Sequence, residues 1–217
     1  MRSGYPNWGL TAEWAVAAAQ SAVFNLSRLG ALARQGGIVS EAFRGEFNQR
    51  VDNKARVSIP APFRRVLEAG DPNFATSNRP RFVLVYGDER RDFLECYTII
   101  GMQLLEGQIA RLPRGSQARR LLERNLITLS LTVEIDEDGR IVLPSKGRDK
   151  IALSPDDLKS GVEAVFAGAL DTFQIWKSSR YDQALGEMAR ADQALLSADS
   201  DILSLLPPHE GATLDGA

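Results

Sequence analysis

At 217 residues, 44% of them hydrophobic and 25% charged, the chain has the make-up of a soluble globular protein of one or two domains. Its formal charge of −2 gives no whole-chain attraction to nucleic acid, so any such affinity has to come from local basic clusters or from several copies acting together. The single cysteine, Cys96, excludes an intrachain disulfide. The single histidine, His209, removes His-rich metal sites and most Ser-His or Cys-His catalytic arrangements.

Residues Met1–Ile38 are Ala-rich and helix-permissive, and they end in Gln35-Gly36-Gly37. Within them Trp14–Phe24 is the most apolar stretch, shorter than the ~20 residues of a membrane span and preceded by Glu13 rather than by basic residues. Period-2 alternation then begins. Phe47, Val51, Val57 and Ile59 alternate with polar residues across Asn53-Lys54-Ala55, which predicts two strands and a hairpin loop with one buried face. Pro60 stops the second strand, and Pro62 opens a short helix with Phe63, Val66 and Leu67 on one face. Phe82–Tyr86 and Phe93–Tyr97 read as two strands around a polar loop. Residues 102–124 read as a helix in two pieces, broken at Pro113-Arg114-Gly115.

The first pattern then returns. Leu131, Val133 and Ile135 alternate with polar residues up to Asp136. Glu137-Asp138-Gly139 forms a loop, and Arg140, Ile141, Leu143 and Pro144 close the next strand. Ser145 suits the cap of a short helix that Gly147 weakens, and Ala152–Gly161 reads as an expanded loop. Val162–Ala167 and Phe173–Trp176 supply another strand pair, Ser179–Leu196 a final helix, and the residues beyond Ser197 a loose tail. Asp52–Pro60 matches Asp136–Pro144 without a gap, 84 residues on, with Asp, Arg and Pro identical and the apolar positions alike. One such unit has too few strands to hide its apolar face, whereas two copies related by a pseudo-twofold axis bury one another.

The shared turn is D-x-x-x-R. Asp52 and Asp136 can accept backbone N–H groups and pair with Arg56 and Arg140, which either staples the turn or also orients the planar guanidinium. Arginine on an exposed loop suits phosphate oxygens and two-point contacts with guanine. Arg56 has Lys54 and Arg50 near it in sequence, a local basic patch, whereas Arg140 follows Glu137 and Asp138. The first copy is therefore expected to carry more of any DNA contact. The plainer readings hold for the other groups: Arg64-Arg65, Arg90-Arg91 and Arg119-Arg120 as solvated faces or ion pairs, and Phe93, Tyr97, Phe173 and Trp176 as core or edge residues.

At Phe43-Arg44-Gly45-Glu46-Phe47, Asp52–Pro60 with Phe63-Arg64, Asp136–Pro144 with Arg148, and Phe173-Gln174-Ile175-Trp176, the sequence resembles the MraZ family of bacterial regulators associated with the division and cell-wall gene cluster. The resemblance runs from about Phe43 to Met188, and the paired turns are its specific part. It implies an α+β chain built as a double-split β-barrel of the AbrB-like superfamily, from two pseudo-twofold repeats with helices between and after them, assembled into a ring. It also implies sequence-specific binding of double-stranded DNA at short direct repeats upstream of the chain's own operon, commonly as a repressor. Arg56 is carried over as the leading DNA contact, with Lys54 and Arg50 beside it, Arg140 as its pseudo-symmetric partner, and Asp52 and Asp136 as orienting residues. Two departures stand out: Gly147 where the family places a larger apolar residue, and the expanded loop after it.

These readings divide the chain into an N-terminal extension (1–42), a first repeat with helical connector (43–124), a second repeat with C-terminal helix (125–196) and a tail (197–217). The extension is either read through from a start upstream of Val39, the expected natural start, or an appendage that docks on the ring. The expected protein is cytoplasmic and nucleoid-associated, not an enzyme, with no metal, cofactor, membrane or small-molecule partner. The alternatives are an oligomeric protein-interaction scaffold without specific DNA binding, and an antitoxin-like AbrB-fold DNA binder. The latter fits poorly with a full repeat in one chain.

Overall fold

The computed structural model describes residues 42–195 and 201–206. The expected N-terminal helix and the start at Val39 lie outside the described residues, as does most of the tail. Described residues up to Asp182 belong to one compact unit and those from Gln183 onward to a second. The first unit is mixed α and β with antiparallel pairing throughout.

Among the described residues, eight strands form two sheets. β1 (Glu46–Val51), β3 (Arg81–Val85), β4 (Leu94–Thr98), β5 (Ser130–Glu134), β7 (Val162–Ala169) and β8 (Thr172–Lys177) make a six-stranded sheet in the order β1-β7-β8-β4-β3-β5. β2 (Arg56–Ser58) and β6 (Arg140–Val142) make a two-stranded ribbon. Exchanging the two repeats maps β1 onto β5, β3 onto β7 and β4 onto β8, and turns the sheet order into its own reverse. The pseudo-twofold axis therefore passes between β4 and β8, where Glu95 faces Gln174, and between β2 and β6, where Val57 faces Ile141.

This corrects the expected hairpins. β1 does not pair with β2. It pairs with β7 of the other repeat, while β2 pairs with β6, so each D-x-x-x-R turn is a corner between two sheets. The second repeat does the same, β5 pairing with β3. The physical reason is burial: a pair of strands three and six residues long leaves its apolar face open, and exchange between repeats closes it.

One side of the six-stranded sheet carries the main core. Phe43, Phe63, Phe82, Phe166 and Phe173 meet there with Val57, Ile59, Ile141 and Leu143 from the ribbon segments. Phe63 comes from α1 (Ala61–Ala69), whose buried residues Phe63, Val66 and Leu67 are those the spacing predicts. The opposite side is covered over β3 and β4 by α3 (Ile99–Ala110), after the short α2 (Phe74–Ser77), which the sequence reading did not anticipate. Met102 of α3 packs on Val83 and Val85. β3 is thus buried on both faces, which explains its unbroken apolar run. Thr98 caps α3 by accepting from the Gly101 N–H, so the helix starts three residues before the expected 102. The break at Pro113–Gly115 is as expected, with α4 (Gln117–Leu122) beyond it and an unanticipated π-helical turn over Glu123–Thr128.

The departures in the second repeat have structural answers. α5 (Ser145–Lys150) forms despite Gly147, which is buried where a Cβ would sit only 3.3 Å from Leu94 Cδ1 and 3.7 Å from Leu84 Cδ2. The leucines occupy the room that a larger apolar side chain at this position would need. The expected loop at 152–161 contains α6 (Pro155–Ser160), started by a reciprocal capping box between Ser154 and Asp157. α7 (Ser178–Leu195) matches the predicted final helix within a residue, and Tyr181 Oη donates to Glu46 Oε2 at 2.7 Å, tying its first turn to β1. In the tail, Ile202–Leu205 form a 3-10 turn rather than loose chain.

Asp71 is the buried ionic anchor. Its side chain is fully buried and accepts the Arg81 N–H and Nε at 3.0 Å, Arg81 Nη2 at 2.8 Å and the Asn73 N–H at 3.0 Å. The Arg81 guanidinium is the largest cause holding this carboxyl below its ordinary value of 3.8. A depressed carboxyl adds stability above its unfolded value, and that stability is lost as pH falls through the folded one. Asp71→Asn should therefore flatten the acid limb of stability against pH. Urea midpoints taken from neutral pH downward check this, and an unchanged acid limb would assign acid sensitivity elsewhere.

Candidate nucleic-acid interface

Both turns are built by one local rule. In the first, Asp52 Oδ1 accepts the N–H groups of Lys54 and Arg56 at 2.8 Å each, and Oδ2 takes Arg56 Nε at 2.7 Å. Backbone N–H donors and the guanidinium together hold the Asp52 carboxyl below its usual range, with the Arg56 N–H the largest cause. In the second, Asp136 Oδ1 accepts the N–H groups of Asp138 at 3.0 Å and Arg140 at 2.8 Å. The fourth residue of each turn has positive φ, 59° at Ala55 and 74° at Gly139. These residues also lock the turns to the opposite repeat: Leu143 N–H donates to Ala55 O at 2.8 Å and Ile59 N–H to Gly139 O at 2.9 Å.

The ribbon register then sets which side chains share a face. Val57 and Ile141 point inward and are almost wholly buried. Arg56, Ser58, Arg140 and Val142 occupy the alternate positions, so both arginines lie on the outer face across the pseudo-twofold axis. Their side chains are 40% and 35% exposed. Among the described residues, Nη1 and Nη2 of Arg56 have no partner, so the end of its fork is open.

The other predicted residues are placed as follows. Lys54 is exposed at the tip of the first turn and forms no ion pair among the described residues. Arg50 is not on the ribbon: it lies in β1, opposite Glu163, with its guanidinium against Gly161. Sequence proximity overstates its closeness to Arg56, because the corner sends the two strands into different sheets. The expected Asp136–Arg140 ion pair is corrected: Arg140 Nη2 pairs with Asp138 Oδ2, while Asp136 holds only backbone donors. A carboxylate at the turn's third position, where the first copy has Lys54, offers Arg140 a nearer acceptor than Asp136.

Two residues were missed. Arg79 bonds Glu134 at 3.3 Å and Glu137 at 2.6 Å, so one of the second turn's three carboxylates is held by a cation from outside the turn. No local signal marks this, because the partners are 55 and 58 residues away. Arg64, expected on a solvated face or in an ion pair, instead lays its guanidinium over Gly139, whose Cβ position would fall 1.6 Å from Arg64 Nη1. Gly139→Ala should therefore displace Arg64 and add left-handed strain, costing about 1–2 kcal/mol. Urea unfolding measures it, and an unchanged midpoint would show that the turn rearranges at no cost.

The geometry defines a class: a duplicated, interleaved α+β chain that presents two arginine-bearing turns side by side on one ribbon. A family model described as "MraZ protein, putative antitoxin-like" matches residues 128–199, most of the second repeat. A protein of Cereibacter sphaeroides named transcriptional regulator MraZ is 59% identical over 168 residues, covering 77% of this chain and 97% of that one. Its namesake in Ruegeria pomeroyi is 49% identical over 176 residues, covering 80% and 100%. That of Roseiflexus castenholzii is 31% identical over 146 residues, covering 67% and 88%. The chain belongs to the MraZ family.

Proposed function

We propose that this protein is a transcriptional regulator that binds double-stranded DNA through its ribbon face, with Arg56 as the leading contact. The observation that carries the reading is the pairing of Asp52 with Arg56 Nε, which fixes the guanidinium plane while its Nη groups stay open. Such a preset fork suits two-point contact with guanine or phosphate. Lys54 adds phosphate attraction at the turn tip, Arg140 is the second contact, and Asp52 and Asp136 orient both turns. Arg50 contributes to the surrounding field from the neighbouring sheet. The names of the relatives, each a transcriptional regulator, agree with this reading.

We also propose the finer parts of the account. The mirrored strand order and the separate ribbon are read as a double-split barrel of two repeats, 43–124 and 125–196, preceded by an extension and followed by a tail. A single copy of this slightly acidic chain presents one pair of arginines, so useful affinity calls for several copies in a row on short direct repeats. Ile100 and Leu104, exposed one turn apart on α3, and Leu131 on the edge strand β5 are apolar surface suited to contacts between copies in a ring. Repression of its own division and cell-wall operon, in the cytoplasm at the nucleoid, completes the proposal.

Fluorescence anisotropy with a duplex taken from upstream of the chain's own gene tests it. Binding should exceed that of a scrambled duplex and fall steeply as salt rises. Equal, salt-insensitive signals for both duplexes would favour a protein-interaction scaffold.

A further inference from the structure

The two turns hold their arginines differently, and the difference is chemical. A guanidinium offers two-point contact along its Nη1/Nη2 end or its Nε/Nη2 side, so Nη2 belongs to both edges. In the first turn the retaining carboxylate, Asp52, takes Nε and leaves the end open. In the second, Asp138 takes one of the two hydrogens on Nη2, the nitrogen common to both edges, and competes with a ligand for the edge that hydrogen faces. Asp138 occupies the loop position of Lys54, so the same place carries a cation in one repeat and an anion in the other. Glu137, beside Asp138 in the turn, is drawn off by Arg79 at 2.6 Å and forms no ion pair with Arg140 among the described residues.

We propose that Asp138 is a built-in competitor for the DNA group that Arg140 would bind, so that the second turn engages DNA only when this carboxylate is displaced. The inference rests on the DNA-binding reading above and adds a residue that sets how the two turns share the contact. Asp138 is two-thirds exposed, so the restraint is weak and easily reversed, as a competitor must be. The protein would then grip through Arg56 first and recruit Arg140 where the local DNA offers an acceptor strong enough to replace Asp138.

The test uses the full chain and the upstream duplex in anisotropy titrations at several salt concentrations. Asp138→Asn should tighten binding by about 1.5- to 5-fold per protomer, the range of an exposed ion pair. It should also steepen the dependence of log affinity on log salt by about one, as expected for one added phosphate contact. Glu137→Gln removes the same charge from the same turn and should do less, because Arg79 already holds it. The gain should vanish in the double variant Asp138→Asn with Arg140→Ala. If it persists there, or if Glu137→Gln matches it, the effect is general charge and the competitor is overturned. If Asp138→Asn equals wild type while Arg56→Ala weakens binding, the competitor is overturned and the DNA reading stands. If the wild-type chain does not bind the duplex, both fall together.

Discussion

Phe173→Ala should lower the stability of the chain by about 3–5 kcal/mol, the largest loss expected of a single side chain here. Phe173 is wholly buried at the crossing of the two repeats. Its ring lies 5.0 Å from Phe43, 5.1 Å from Phe63, 5.7 Å from Phe82 and 6.1 Å from Phe166, centroid to centroid. Those four rings come from the lead-in to β1, from α1, from β3 and from β7, so one truncation opens a cavity that four elements line. The backbones of β3 and β7 are fixed by the sheet, Phe43 is tied by its bridge to Leu170, and α1 is held by its own buried face, so the cavity has little room to collapse. Against a total stability of about 5–15 kcal/mol for a domain, such a loss leaves the fold near its threshold. Phe173→Leu keeps most of the volume and should lose much less. Equilibrium urea unfolding of both variants checks the account. A loss under about 1 kcal/mol for Phe173→Ala would mean that the pocket collapses and the cluster is not the keystone.

Arg56→Ala should weaken DNA binding by about 1–3 kcal/mol for each protomer in contact, roughly a factor of 5 to 150. The turn itself should survive, because Asp52 keeps the backbone donors of Lys54 and Arg56 after the guanidinium is gone. Stability should change by less than about 1 kcal/mol, as for an exposed ion pair. Arg56→Lys separates shape from charge: it keeps the cation and loses the planar fork, so it should fall between wild type and Arg56→Ala. Arg140→Ala should cost less than Arg56→Ala, since Asp138 already engages that side chain. Titrations of the upstream duplex, with circular dichroism alongside, give both quantities. Binding by Arg56→Ala as tight as by wild type would move the interface off the ribbon.

Much of this was legible where the physics is local. The 84-residue repeat, the turn rule at Asp52 and Asp136, the apolar face of α1 and the helix break at Pro113–Gly115 all follow from short-range spacing and hydrogen bonding. Strand partners were not legible, because the alternation in β1 and β2 fits either a hairpin or an exchange between repeats. Only the burial of both ribbon strands against the shared core decides between them. The capping box at Ser154-Pro155-Asp156-Asp157 is present in the sequence, but the helix it starts is only six residues long and its Pro, Asp and Gly content reads equally as loop. Arg140 shows a different limit. Two acids, at Asp136 and Asp138, lie within reach of one guanidinium, and the sequence does not rank them. Arg79 marks the last: its pairing with Glu137 is set by β3 lying beside β5 and has no trace in local sequence.

The central claim is that the ribbon arginines read DNA near the chain's own gene, and a nuclease-protection footprint on that upstream region tests it most directly. The wild-type chain should protect a regular series of short repeated blocks, and Arg56→Ala at the same concentration should leave them open. Protection that is absent with wild type, or unchanged with Arg56→Ala, would contradict it.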